Sequence, residues 1–185
     1  HLVRRARAAT ASRRLVCAGG VFLNSVANER IVASGVFDEV FFVPFAEDSG
    51  TAVGAAFHGV QQLLGPRPGR RLEADALGPM PTDHAAALAL AAPHAHAASS
   101  TYTDIAARIA AGEMVGLFHG RSELGPRALG QRSILYDPRR ALGAFELNRK
   151  KGREAFRPFA PAVLRAHVSD WFDLAAPHDS PFMLR

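Results

Sequence analysis

The sequence predicts an α/β protein that carries pieces of two domains, and three observations lead to this expectation. Patterns typical of strand, glycine turn, helix, strand, loop and helix follow one another over residues 15–64. Residues 65–83 are rich in Pro, Gly and charge, as linkers are. A new helix and strand pattern begins near Thr101, so we expect one unit at 1–98 and another at 99–185.

The first unit begins with an Ala- and Arg-rich stretch at 2–14 that predicts a helix. Residues 15–17 are apolar and predict a buried strand, which Gly19 and Gly20 end before a helix over 24–34.

A second strand and helix complete the first unit. Residues 40–43 form a β-rich apolar run that Pro44 stops. The small and apolar residues of 49–64 predict a packed helix.

The second unit shows the same alternation of patterns. An Ala-rich helical stretch is expected to run to about residue 98, and another helix covers 105–110 and ends at Gly112. Residues 114–118 and 133–136 predict strands on either side of a long Gly-rich loop.

Composition and charge narrow the classes of function. The chain has 185 residues, 48% hydrophobic residues and a net charge of +5, which indicates an anionic partner. The arginines alternate with Gly and Pro and form no continuous basic run, so a phosphate pocket is favoured over a nucleic-acid groove. A single cysteine, Cys17, excludes an intrachain disulfide and is typical of the cytoplasm. Since no apolar stretch reaches the ~18 residues that span a bilayer, we expect no membrane segment. The sequence leaves the oligomeric state open.

The first candidate motif is AGGVFLN at 18–24. Gly19 and Gly20 let backbone N–H groups approach a phosphate at the positive end of the following helix. Asn24 and Asn28 lie four residues apart on one helix face and could bind a base or a ribose. The alternative is a tight turn with two surface Asn caps.

The second candidate motif is AEDSGTAVGAA at 46–56. The Asp48 carboxylate, at the carboxyl end of a strand, could hold a metal ion, and Gly50 could let a ligand come close. The alternative is that Asp48 or Ser49 only caps the helix.

The third and fourth motifs lie at 120–135 and 151–161, where Gly and Pro bracket basic residues. Arginine forks bind phosphate oxygens in pairs, and lysine adds a point charge. The expected phosphate-binding residues are Arg121, Arg127, Arg132, Lys151, Arg153 and Arg157. The alternative for some of them is ordinary ion pairing with Glu123, Glu154 or Asp137.

These motifs together resemble one family, the O-carbamoyltransferases that modify nodulation factors, cephamycins and aminoglycosides such as tobramycin. The segments that carry the resemblance are AGGVFLNSVANERI, PFAEDSGTAVGAA, GRSELGPRALGQRSILYDPR and LNRKKGREAFRPFAPAVL. The resemblance implies that 1–98 is the C-terminal part of an actin/sugar-kinase-like ATPase domain. It implies that 99–185 is the start of a YrdC-like α/β domain.

The resemblance also implies the chemistry. Such enzymes make carbamoyl adenylate from carbamoyl phosphate and ATP with Mg, and then transfer the carbamoyl group to a hydroxyl of a small-molecule acceptor. A divalent metal, iron in the family, assists the transfer. Other interpretations are a non-catalytic nucleotide-binding fragment and a module associated with tRNA or other nucleic acid.

Family roles carry over to matching positions of this chain. The resemblance implies that Asp48 binds the metal and that Asp48, Lys151 and Arg153 are catalytic. The implied nucleotide contacts are Gly19, Gly20, Asn24, Ser49 and Gly50. Two departures are that the chain has no HxxxH pair of metal-binding histidines and that Gln131 replaces the usual asparagine. We therefore expect the chain to be part of a longer protein and inactive alone.

Overall fold

The computed structural model describes residues 1–66, 69, 72–94 and 96–185 and shows a mixed α/β chain. The helices are α1 (Leu2–Ala8), α2 (Ser25–Ala33), α3 (Ser49–Leu64), α4 (His84–Ala91), α5 (Tyr102–Ala110), α6 (Gly143–Lys150) and α7 (Val168–Trp171). The strands are β1 (Arg14–Cys17), β2 (Glu39–Phe42), β3 (Val115–Phe118) and β4 (Arg132–Leu135). Short 3₁₀ helices cover Gly20–Leu23 and Arg165–His167. The predicted α/β class is confirmed.

The chain divides into two compact units whose segments alternate along the sequence. Unit 1 comprises His1–Asp75, Glu123–Arg127 and Val163–Arg185, and unit 2 comprises Ala76–Ser122 and Ala128–Ala162. In these units the last segment packs with the first, and the expected division into the pieces 1–98 and 99–185 stays a prediction. The assignment of those pieces to an ATPase-like and a YrdC-like domain stays a prediction.

Unit 1 is built on a parallel pair of strands. In its register Leu15 pairs with Val40 and Cys17 with Phe42, so these apolar side chains share one face. That face joins the core, in which Cys17, Phe42 and Leu184 are buried. The partly buried side chains around them are Leu15, Phe22, Leu23, Ile31, Val32, Val40 and Phe182.

The last residues of the chain are fastened to α2. Glu29 receives the Arg185 Nε hydrogen bond at 2.9 Å and the Ala175 N–H hydrogen bond at 2.6 Å. Asn28, fully buried in α2, donates from Nδ2 to the Leu184 carbonyl at 2.7 Å. These polar contacts hold Leu184 against the strand pair.

Two helices are shorter in the structure than the sequence predicts. The helix expected over 2–14 ends at Ala8, because Thr10 and Ser12 form local side-chain hydrogen bonds that compete with the helix. The Ala-rich helix expected to reach residue 98 ends at Ala91, shortly before Pro93, which disfavours helical continuation. Among the described residues, no helix combines the length and the apolar character that crossing a membrane requires.

Unit 2 contains an antiparallel pair of strands. A capping box between Thr101 and Asp104 starts α5, and Gly112, at φ +87°, ends the turn that follows it. β3 and β4 pair so that Phe118 lies opposite Arg132. The 118–132 connection is the long Gly-rich loop expected from the sequence.

Asp137, which follows β4, is bound by the guanidinium group of Arg139. Asp137 accepts hydrogen bonds from the Arg139 backbone N–H at 2.9 Å and from its guanidinium Nη2 at 2.8 Å. Hydrogen bonding to Arg139 lowers the pKa of Asp137 from 3.8 to about 2.

We predict that Leu184→Ala destabilises unit 1 by about 2–5 kcal/mol, because it removes a core side chain that is 3% exposed. The matched control is Leu164→Ala, a leucine of the same segment that is 75% exposed, with an expected effect within about 0.5 kcal/mol. Urea unfolding followed by circular dichroism measures both. Equal effects for the two variants would contradict the assignment of Leu184 to the core.

We predict that the Asp137 fork stabilises the protein only above acidic pH. The folded pKa lies below the ordinary value, so the contribution is complete above pH 3.8 and is lost as the pH falls toward about 2. The difference in unfolding free energy between wild type and Asp137→Asn should therefore narrow over that range. Asp173→Asn, at an exposed aspartate, is the control. If the difference in unfolding free energy for Asp137→Asn did not change with pH, the stabilising role of the Asp137–Arg139 contact would be ruled out.

Candidate functional site

Two loops meet at the carboxyl edge of the parallel strands in unit 1. Parallel strands end at the same edge, so the glycine turn after β1 and the acidic loop after β2 come together. The Gly19 N–H donates to the Ala46 carbonyl at 2.9 Å and joins the two loops directly. This edge is the candidate site of unit 1.

The glycine turn presents its backbone to open space. Gly19 has φ +107° and ψ 145°, a conformation that is essentially restricted to glycine. A Cβ atom at Gly19 or at Gly20 would meet no atom of the described chain within 4 Å. The predicted turn is confirmed, and its contact with a nucleotide stays a prediction.

The two asparagines after the turn have internal roles. Asn24 Oδ1 accepts the Ala27 N–H at 3.0 Å and caps α2. Asn28 is 0% exposed, and its Nδ2 donates to the Phe22 carbonyl at 2.8 Å as well as to Leu184. The alternative of two surface Asn caps is confirmed as a cap for Asn24 and is wrong for Asn28, because tertiary packing buries Asn28.

The acidic loop leaves Asp48 without a capping role. The Glu47 carboxylate accepts the Ser49 N–H at 2.8 Å and the Ser49 hydroxyl proton, and these hydrogen bonds lower the pKa of Glu47. Asp48 precedes α3 and is exposed, but its side chain makes no capping hydrogen bond. The alternative that Asp48 or Ser49 caps the helix through its side chain is wrong, since Glu47 performs that role.

Gly50 is needed by the chain itself. A Cβ atom at this position would collide with the Phe45 carbonyl oxygen. The close approach that the sequence predicts for a ligand is therefore made by the backbone of the preceding loop, and ligand contact at Gly50 stays a prediction.

A distant segment, Glu123–Arg127, packs on both loops of this edge. At Gly125, φ +100°, a Cβ atom would lie 3.0 Å from the Pro44 carbonyl oxygen after β2. Arg127 Nη2 donates to the Leu23 carbonyl after β1 at 2.8 Å. Arg127 therefore belongs to unit 1, whereas the other five predicted phosphate-binding residues belong to unit 2.

Two arginines of unit 2 border the Gly-rich loop. Arg132 lies 3.8 Å above the Phe118 ring and donates from Nη1 to the His119 carbonyl at 2.6 Å. Arg121 donates from Nη1 to the Gly78 carbonyl at 3.0 Å. Both guanidinium groups thus have backbone partners that hold them in place.

The 148–157 segment of unit 2 is organised by a buried amide. Asn148 is 0% exposed; its Nδ2 donates to the carbonyls of Ala155 and Arg157 at 3.1 and 2.9 Å. Its Oδ1 accepts from Arg153 Nε at 2.5 Å, and the Arg153 guanidinium lies 4.2 Å from the Phe159 ring centre. Arg153 is therefore oriented before any ligand binds.

The remaining basic candidates of this segment differ in their pairing. Arg157 forms an ion pair with Glu154 at 2.7 Å, one of the pairings considered as the alternative, and its side chain is half exposed, so its phosphate role stays a prediction. Lys151 is exposed at the end of α6. Asp137, also considered as a partner, is bound by Arg139 rather than by a candidate residue.

Sequence patterns do not identify Asn148 and Glu47. Asn148 reads as an ordinary helix residue, because its loop partners are defined only by the fold. The spacing of Glu47 two residues before the Ser49 N–H is a local signal that could have indicated the cap.

The metal expected at Asp48 is not matched by a complete set of ligands among the described residues. Within the part of the chain that the structure describes, no group of three or more His, Cys, Asp or Glu residues could hold a metal ion. One exposed carboxylate does not form a closed site. These residues alone therefore do not fit the metal.

Comparison with known proteins agrees with the motifs. Residues 2–57 match the family model described as the carbamoyltransferase N-terminus, and residues 106–185 match that described as the carbamoyltransferase C-terminus. Nodulation protein NolO of Bradyrhizobium diazoefficiens is 41% identical over 99% of this chain and 35% of its own length. Nodulation protein NolNO of Sinorhizobium fredii is 40% identical over 99% of this chain and 28% of its own length. Nodulation protein U of the same species is 37% identical over 94% of this chain and 29% of its own length.

The chain thus spans about a third of the length of the curated relatives that it matches. Both family regions occur on it in order, and they contain the glycine turn, the acidic loop and the two basic segments. By these matches the chain belongs to the carbamoyltransferase family.

Proposed function

We propose that this chain is part of an O-carbamoyltransferase that uses carbamoyl phosphate and ATP to carbamoylate a hydroxyl of a small-molecule acceptor. The observation that carries the proposal is the presence of both family regions on one chain, with an oriented arginine in the second. The relatives are named as nodulation proteins, so a nodulation factor is one candidate acceptor.

The reaction has two balanced steps. Carbamoyl phosphate, water and ATP give carbamoyl adenylate, phosphate and pyrophosphate. The acceptor oxygen then bonds to the carbamoyl carbon, its proton is lost, and AMP leaves with the bonding electrons. Adenylation makes this second step easier, because AMP is a better leaving group than hydroxide.

Five basic residues of unit 2 supply the proposed site for carbamoyl phosphate and the phosphates of ATP. They are Arg121, Arg132, Lys151, Arg153 and Arg157. A small, highly charged ligand offers little apolar area, so its affinity must come from charge-assisted hydrogen bonds. Asn148 and Phe159 fix Arg153 in one orientation, which lowers the entropy cost of binding.

Unit 1 supplies the proposed nucleotide contacts. A Cβ atom at Gly19 or at Gly20 would meet open space, and Ser49 and Gly50 begin the longest helix of the described chain. Backbone N–H groups at glycine turns and helix starts bind phosphate, and here those of Gly19, Ser49 and Gly50 already donate to Ala46 and Glu47. Asn24 would contribute from the end of the turn in addition to its capping bond.

Asp48 is the one carboxylate at this edge that the helix cap leaves available. We assign to it a single ligand position toward a divalent metal, iron by family resemblance. The other ligands would come from outside the described residues.

We predict that Arg153→Ala weakens carbamoyl phosphate binding by roughly ten- to a hundredfold, because each charge-assisted bond contributes about 1.5–3 kcal/mol. The assay is ATP–pyrophosphate exchange dependent on carbamoyl phosphate, on a polypeptide that includes the whole family region. The control is Arg108→Ala, which removes an exposed ion pair between Arg108 and Glu113 of unit 2. This variant should leave ATP–pyrophosphate exchange unchanged. Normal exchange with a lower melting temperature in Arg153→Ala would show a purely structural role.

We predict that Asp48→Asn abolishes carbamoyl transfer and weakens binding of divalent metal, while exchange persists. The reason is that an amide is a weaker metal ligand than a carboxylate, and the cap made by Glu47 is untouched. Asp38→Asn, at another exposed aspartate of unit 1, is the control. Metal content by elemental analysis and product by mass spectrometry are the measurements, and full transfer in Asp48→Asn would refute the assignment.

A further inference from the structure

The glycine turn is held by three hydrogen bonds to other parts of unit 1. Its first N–H, at Gly19, donates to Ala46, and the Phe22 carbonyl accepts from Asn28 at 2.8 Å. The Leu23 carbonyl accepts from Arg127 Nη2 at 2.8 Å, across 104 residues of sequence. Both carbonyls at the end of the 3₁₀ helix are thus fixed from outside the turn.

The Leu23 carbonyl governs the rest of the turn. Peptide planarity couples its direction to the Asn24 N–H, which donates to the Val21 carbonyl at 3.2 Å and closes the 3₁₀ turn. Asn24 is also the N-cap of α2. A change at the Leu23 carbonyl would therefore reach both the turn and the start of the helix.

Arg127 is placed for this contact by its own segment. Gly125 packs tightly on the loop after β2, and the Leu124 N–H donates to the Asp75 carbonyl at 2.8 Å. Arg127 Nε is buried and has no hydrogen-bond partner among the described residues. Because Nε is closed to solvent and Nη2 is bound to a carbonyl, the fork formed by Nε and Nη2 is not open to a phosphate in this conformation.

We propose that Arg127 is a positioning residue of the glycine turn, acting through the Leu23 carbonyl, and not a ligand of carbamoyl phosphate. The proposal rests on the nucleotide role proposed for the turn. It separates Arg127 from the five basic residues of unit 2, with which the sequence groups it.

The experiment compares wild type with Arg127→Gln and Gly125→Ala in the complete polypeptide. Hydrogen exchange without ligand is followed in peptides covering residues 18–25 and, as reference, in those of β1 and β2. Affinities for Mg·ATP and for carbamoyl phosphate are measured separately by calorimetry. Arg165→Ala is the control, since this exposed side chain of unit 1 pairs only loosely with Asp179 at 3.4 Å.

For Arg127→Gln we expect faster hydrogen exchange at residues 18–25 and unchanged exchange in β1 and β2. The Kd for Mg·ATP should rise about tenfold, and the Kd for carbamoyl phosphate should stay unchanged. Gly125→Ala, which displaces the segment but keeps the arginine, should give the same pattern. Unchanged exchange at 18–25 with weaker carbamoyl phosphate binding would overturn it in favour of a ligand role. Faster exchange throughout unit 1 would overturn it in favour of general stabilisation.

Failure of the proposed function gives a different result. If wild type binds no Mg·ATP, the nucleotide role of the turn is wrong, and with it the functional part of the proposal. Hydrogen exchange at residues 18–25 in Arg127→Gln would still decide whether the Arg127 guanidinium holds the glycine turn.

Discussion

The parallel pairing of β1 and β2 is the constraint on which the candidate site of unit 1 depends. Because both strands run in one direction, the glycine turn and the acidic loop end at the same edge, and the Gly19 to Ala46 hydrogen bond joins them. Glu47 takes over the start of α3, which leaves Asp48 exposed in the loop that this hydrogen bond joins to the turn. Antiparallel pairing would have placed the two loops at opposite ends.

Two strands alone bury too little apolar surface to be stable, so this pair needs a cover. On one face the cover comes from α2 and from the last residues of the chain, with Leu184 in the core. On the other face, Val16 and Phe41 lie directly opposite each other and are exposed. The hydrogen bonds from Asn28 and Arg185 fasten the cover by polar groups that are themselves largely removed from water.

Buried amides have the same physical role in both units. Asn28 ties the glycine turn to the chain end, and Asn148 ties the helix α6 to the loop that carries Arg153. The amide Nδ2 donors have fixed directions, so burying them against carbonyl partners selects one loop conformation over its alternatives. In each case the residues with proposed chemistry are neighbours of the amide rather than the amide itself.

The sequence by itself determined the local elements, because these depend on near neighbours. The runs at 15–17 and 40–43, the glycine break and the helix over 49–64 all appear where the patterns place them. The motifs also determined the family. Only the tertiary structure decided which motif residues remain available and which are structural. Asn28 and Arg127 find their partners 156 and 104 residues away, and contacts over such separations leave no periodic trace in the sequence.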